Sequence, residues 1–161
     1  MTPNDSIKVR AADRADLDAI VVFNVALAAE TESKTLDPIV LARGVLAALG
    51  DPDRLRYWVA ETPAGVVGQA AVTREWSDWR AGWVWWFQSV YVHADARRTG
   101  VFRALYRQVR EEARAAGDVV GLRLYVEHAN DRAKRTYQSL GMNPGGYDVF
   151  EEIWPERFGR P

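Results

Sequence analysis

The chain has 161 residues, 48% apolar and 27% charged, with seven Trp, six Tyr and five Phe, which predicts one domain with a sizeable core and excludes disorder. With no Cys, it has no disulfide framework, Cys-ligated zinc, iron–sulfur cluster or Cys nucleophile, and two His, His93 and His128, argue against a His-rich metal site. Twenty-one basic against twenty-two acidic residues give a net charge of −1, so no bulk charge draws the chain to nucleic acid or membrane. No apolar run approaches the roughly 18 residues of a membrane span, and the opening MTPNDSIKVR lacks the apolar stretch of a secretion signal. A cytoplasmic protein is therefore expected.

In chain order, residues 7–10 alternate and read as a short strand. Asp13 is placed as an N-cap before a helical stripe of Leu17, Ile20, Val21, Asn24 and Leu27. Residues 30–36 are polar and read as a loop. Asp37 and Pro38 open a second helix that stops near Gly50. Strands are expected over 57–61, 66–75 and 83–92, joined by turns at Pro63 to Gly65 and at 77–82. A helix follows Gly100, with apolar Val101, Phe102, Leu105, Tyr106, Val109 and Ala113, and ends at Gly117. Residues 119–126 read as a buried strand, 130–140 as a helix ended by Gly141, and 147–154 as a closing strand. The expected order is β-α-α-β-β-β-α-β-α-β. The strands between 57 and 92 must form antiparallel hairpins, whereas a helical crossover makes 83–92 and 119–126 parallel. The fold class is thus α/β with a mixed sheet and helices on both faces.

Two segments carry chemistry. The first ends a strand and starts a helix, with Arg97, Arg98, Thr99, Gly100, Val101, Phe102 and Arg103 at the corner. A helix start presents unpaired amides and positive dipole potential, and a glycine there lets backbone approach a phosphate. The second has Asn130, Ala133 and Tyr137 at i, i+3 and i+7, hence on one helix face. Ala133 permits close approach, and the Tyr137 hydroxyl can donate a proton if it points into a cleft.

Here the chain resembles the GCN5-related N-acetyltransferases (GNAT). Arg97 and Gly100 match one family motif, with Phe102 departing from the usual Gly or Ala. Asn130, Ala133, Tyr137 and Gly141 match a second, with Met142 in place of the usual Phe. The resemblance covers nearly all the chain and implies a GNAT-like fold in one domain, 1–161, with a splayed central parallel strand pair. It implies acetyl-CoA or another acyl-CoA as cofactor. The pantetheine arm maps to Val90, Tyr91 and Val92, and the diphosphate to the corner at 98–103, with Arg97, Asn130, Ala133 and Tyr137 also at the cofactor. It implies direct acyl transfer to a primary amine of a small molecule or peptide. A strand N–H near Tyr91 stabilises the carbonyl oxygen and Tyr137 serves as proton donor. The strand position where some members carry a Glu base is Trp86 here. Glu30, Glu32, Glu75 and Asp78 are the remaining base candidates. The spacing of Val101, Leu105 and Val109 predicts that Phe102 turns inward.

On the acceptor side, Glu30 and Glu32 suit a cationic amine. Trp76 and Trp85 are candidates to shape its pocket, out of a hairpin that also holds Trp79, Trp83 and Trp86. Trp83, Trp85 and Phe87 should face one way, and Val84, Trp86 and Gln88 the other. The same aromatics would suit a homodimer surface. Arg103, Arg107, Arg110 and Arg114 form a stripe interrupted by Glu111 and Glu112, which reads as a solvated helix face. A non-catalytic acyl-CoA-binding module is the alternative reading.

Overall fold

The structure, a computed structural model, describes residues 7–158. By internal packing the chain divides into two compact units, Met1–Arg123 and Leu124–Pro161.

In the first unit β1 (Lys8–Ala11) leads into a 3₁₀ turn, Arg14–Asp16, and then α1 (Leu17–Glu32). Asp13 starts this run as expected: its carboxylate accepts from the Ala15 amide, while Asp16 accepts from the Asp13 amide at 2.9 Å. α1 runs through Glu32 and stops where Ser33 turns left-handed, φ 52°. Glu30 therefore stands on the last helical turn and not in a loop. α2 (Pro38–Gly50) starts as expected, with Asp37 accepting from the Ile39 and Val40 amides. β2 (Arg56–Thr62), β3 (Gly65–Ser77) and β4 (Gly82–Val92) form antiparallel hairpins. A 3₁₀ turn at Ala94–Ala96, capped by His93, leads to α3 (Val101–Ala115) and β5 (Val119–Leu124).

The sheet order is β1-β2-β3-β4-β5. β4 and β5 run the same way. The Trp83 amide donates to the Asp118 carbonyl at 2.8 Å, so the two strands start together, and further along both Arg123 lies over the Trp86 ring. Among the described residues β5 comes last in the order and is only partly buried, with Val120 46% exposed, so the buried strand expected over 119–126 is shorter and less covered.

Helices cover both faces. On one, α1 and α2 pack Ile20, Val45 and Ala48 against Tyr57, Val59 and Ala71. On the other, α3 covers Trp58 and Phe87: the Trp58 indole donates to Glu112 at 2.8 Å, and the Phe87 and Tyr106 rings stack at 5.8 Å. Gly68 permits this approach, because a Cβ there would lie 2.9 Å from Val101 Cγ1. Trp85 and Phe87 share this α3 face as the alternation predicts.

One feature of β4 breaks the alternation. Ala70 pairs with Val90 but Val72 pairs with Phe87, two steps on β3 against three on β4. The extra residue is a β-bulge, which reverses the face of everything after it. Phe87 points at α3, yet Tyr91, four residues on, packs against Phe23 of α1 with ring centroids 5.3 Å apart.

In the second unit α4 (Asp131–Ser139) is set by its ends. Asn130 accepts from the Ala133 amide, and after the helix the Gly141 and Met142 amides return to the Gln138 and Tyr137 carbonyls. That is a Schellman ending, with Gly141 at φ 88°. The expected closing strand over 147–154 is not formed. A strand exists through the backbone of a partner, and this segment is exposed, with Tyr147 84% and Phe150 95% accessible. A 3₁₀ turn at Pro155–Arg157 follows. No helix among the described residues is long and apolar enough to cross a membrane.

Candidate active site

The bulge delivers Tyr91 to the end of α1. Its hydroxyl donates to Glu30 Oε1 at 2.9 Å, and Arg97 donates to Glu30 Oε2 at 2.5 Å. Arg97 also donates from Nε to the Val92 carbonyl at 3.1 Å, with its guanidinium 5.5 Å from the Tyr91 ring centroid. Arg97, then Tyr91, hold the Glu30 carboxyl below its ordinary range, so it is ionised at neutral pH. Burial, and then the Glu30 charge, push the Tyr91 phenol up. The sequence groups Arg97 with a phosphate cradle; here its side chain lies over the Tyr91 ring and pairs with Glu30.

The corner before α3 is shaped by its backbone. Arg98 and Gly100 are both left-handed, φ 65° and 97°, and α3 opens at Val101 with no side chain capping it. Successive amides in such a conformation form a concave donor surface, and a helix start adds positive potential. Thr99 donates its hydroxyl to the Ala96 carbonyl at 2.7 Å and tightens the turn. Arg103 follows in the first turn of α3. Phe102 is half-buried and lies along α3, its ring 6.3 Å from that of the buried Tyr106.

The β4 edge beside this cradle is open within the first unit. β4 has 11 residues and β5 has 6; since they start together, Ser89 to Val92 extend past β5. The His93 amide donates to the Val67 carbonyl at 2.9 Å. In an antiparallel ladder that bond recurs at every second pair, so the Tyr91 amide and carbonyl face Gln69 on β3. The amides and carbonyls of Val90 and Val92 face the other edge. The Tyr91 amide is thus spent within the sheet, and the edge amides that flank it are those of Val90 and Val92.

Behind Tyr91 is a polar network that composition and motif did not mark. Gln69 donates to Asn24 at 2.7 Å and Asn24 donates to the Tyr57 hydroxyl at 3.3 Å. Burial raises the Tyr57 phenol, against bonds to Asn24 and Ser89 that lower it. Gln69 Oε1 is fully buried with no partner among the described residues. The one signal was Asn24 standing in the apolar stripe of α1.

Several expected site residues fall elsewhere. Trp85 is 5% exposed and packs against Trp58 on the α3 face, so it is core and cannot wall an acceptor pocket. Trp76 stacks edge-on with Trp83 in the β3–β4 hairpin, and Arg74, two residues before it on the same strand face, lies over that ring. That face is opposite Glu30. Glu32 pairs with Lys34. Glu75 accepts from the Trp86 indole and from Arg123, and Asp78 accepts from the Trp79 amide. All four carboxylates named as bases are thus engaged.

In the second unit, Asn130 Oδ1 is committed to capping α4, and Gly141 to ending it. The second motif is therefore a helix bracketed at both ends that presents Ala133 and Tyr137 on one face. Burial raises the Tyr137 phenol, which keeps its proton at neutral pH.

A sequence profile of the acetyltransferase (GNAT) family matches residues 23–142. The chain belongs to the GNAT family. A possible acetyltransferase from Clostridium difficile 630 is 44% identical to this GNAT chain and superposes with a TM-score of 0.85, over 92% of this chain and 98% of that one. The fold is shared with the ribosomal-protein-alanine N-acetyltransferase from Brucella melitensis biovar Abortus 2308 at 13% identity, TM-score 0.75, over 92% and 100% of the two chains. It is also shared with an aminoglycoside acetyltransferase, meta-AAC0020, from an uncultured soil metagenomic sample, at 13% identity, TM-score 0.70, over 94% and 96%. A search of the curated proteins found no match. GNAT members use acyl-CoA. The left-handed pair Arg98 and Gly100 at an uncapped helix start fits the diphosphate of such a group on the chemistry of its donors.

Proposed function

We propose that this GNAT protein is an acyl-CoA-dependent N-acyltransferase of the cytoplasm, working as one domain. It moves acetyl from acetyl-CoA to a primary amine on a small molecule or peptide, by direct attack in a ternary complex. The observation that carries this reading is the β4 edge extending past β5 beside the uncapped start of α3.

Acyl-CoA supplies an activated acyl thioester when bound. Amides at 98–103, with the Arg98 and Arg103 charges, hold its diphosphate. The edge groups of Val90 and Val92 hold the amide-bearing arm, and an amide there stabilises negative charge on the carbonyl oxygen. Tyr137 keeps its proton through neutral pH and hands it to the leaving sulfur. The Glu30 carboxylate, ionised and aromatic-backed, receives the acceptor's ammonium. With the four candidate carboxylates engaged, the amine loses its proton to water.

That same engagement favours a second reading, a non-catalytic acyl-CoA-binding module. Acetyl-CoA incubated with a panel of primary amines separates the two. Free thiol released only when an amine is present supports transfer; cofactor binding with no thiol from any amine supports the module.

A further inference from the structure

Arg97 bridges two places that the proposed chemistry keeps separate. Its Nε takes the Val92 carbonyl on the open β4 edge, and its terminal nitrogen takes Glu30 at the end of α1. We propose that Arg97 couples the two substrate subsites: it closes Glu30 to an incoming ammonium until acyl-CoA displaces it from Val92. This inference rests on the acyltransferase reading.

A guanidinium is a rigid planar fork, so moving one side off its acceptor re-aims the other and weakens its bond. The Val92 carbonyl faces the edge where the arm of acyl-CoA lies, and an arm amide competes for it. Glu30 does not collapse when Arg97 leaves, because its second oxygen still accepts from Tyr91. The vacated place suits a primary ammonium, which replaces one cation by another beside the Tyr91 ring. Both members of the pair are open to solvent, Arg97 at 42% and Glu30 at 45%, so the exchange is cheap and reversible. Arg97 is a positioning residue in this scheme, acting through Glu30. Coupling of this kind is reciprocal: the amine strengthens acyl-CoA binding by the same factor that acyl-CoA strengthens amine binding, and a variant that frees Arg97 from Glu30 acts in the same direction.

The test is calorimetric titration of CoA, with no amine, into the wild type, Glu30→Gln and Arg97→Lys. Glu30→Gln keeps an acceptor for Tyr91 but drops the charge holding Arg97. Arg97→Lys keeps a positive charge at this position but lacks the fork. Both variants should bind CoA more tightly, by about two- to fivefold, the worth of one exposed charge pair. A merely structural role would leave affinity unchanged or weaken it, and wild-type affinity in both variants overturns the coupling. No CoA binding by the wild type overturns the acyltransferase reading itself, a result distinct from equal affinities.

Discussion

Tyr137 and Asp16 show how burial sets the work of a single side chain. The Tyr137 phenol is raised by burial, so it stays protonated well past neutral pH and can only donate. Tyr137→Phe should lower turnover by ~10²- to 10⁴-fold with the CoA dissociation constant unchanged, checked by thiol release beside calorimetry. Parallel loss of both would remove Tyr137 from the donor role. Asp16 is 4% exposed and takes two bonds from Arg10, at 2.7 and 2.8 Å, while Arg10 also holds Glu61. The Arg10 bonds hold the Asp16 carboxyl below its ordinary 3.8, despite an opposing push from burial. A depressed folded-state value means that the stability is complete above the unfolded value and is lost as pH falls through the folded one. Asp16→Asn should cost about 2–3 kcal/mol at pH 7 by urea unfolding. The gap between variant and wild type should shrink only below about pH 3.8; a gap that already closes at pH 6 would refute the ion pair as its source.

Among the elements, helices were legible and β4 was legible only in part. Asp13, Asp37, Asn130 and Gly141 each mark a helix end within a few residues of the bond they make, so their meaning is local. The alternation of β4 was correct through Phe87 and failed at the bulge, because a bulge is a property of the pairing with β3. Its consequence is the site: without the extra residue Tyr91 would lie under α3 instead of beside Glu30. The apolar residues at 147–154 suggested a strand, but strand formation needs a partner that periodicity does not supply. Gly82 makes the start of the parallel pair testable. A Cβ there would lie 2.4 Å from Val120 Cγ1 and 2.9 Å from the Asp118 carbonyl. Gly82→Ala should cost about 1–3 kcal/mol, seen as a lower urea midpoint at unchanged slope. An unchanged midpoint would mean that β5 does not seat there.

For the whole molecule, ligand linkage gives the broadest check. A chain that binds acetyl-CoA only when folded gains about 2.7 kcal/mol at a hundred times the dissociation constant, so its melting temperature must rise with concentration. A flat response well above micromolar acetyl-CoA would leave a scaffold with no cofactor. The helices, the order of most strands, the glycine turn before α3 and the second motif could be read from residues alone, because periods, caps and glycine turns act over one or two turns of chain. Only the tertiary structure decided which groups meet. Arg97 and Glu30 are 67 positions apart, and Tyr91 and Glu30 are 61 apart. Their meeting depends on strand register, a one-residue bulge and the reach of α1, and contacts between distant residues leave no period in the sequence. The same reason hid the burial of Trp85 and the pairing of Arg97 with Glu30.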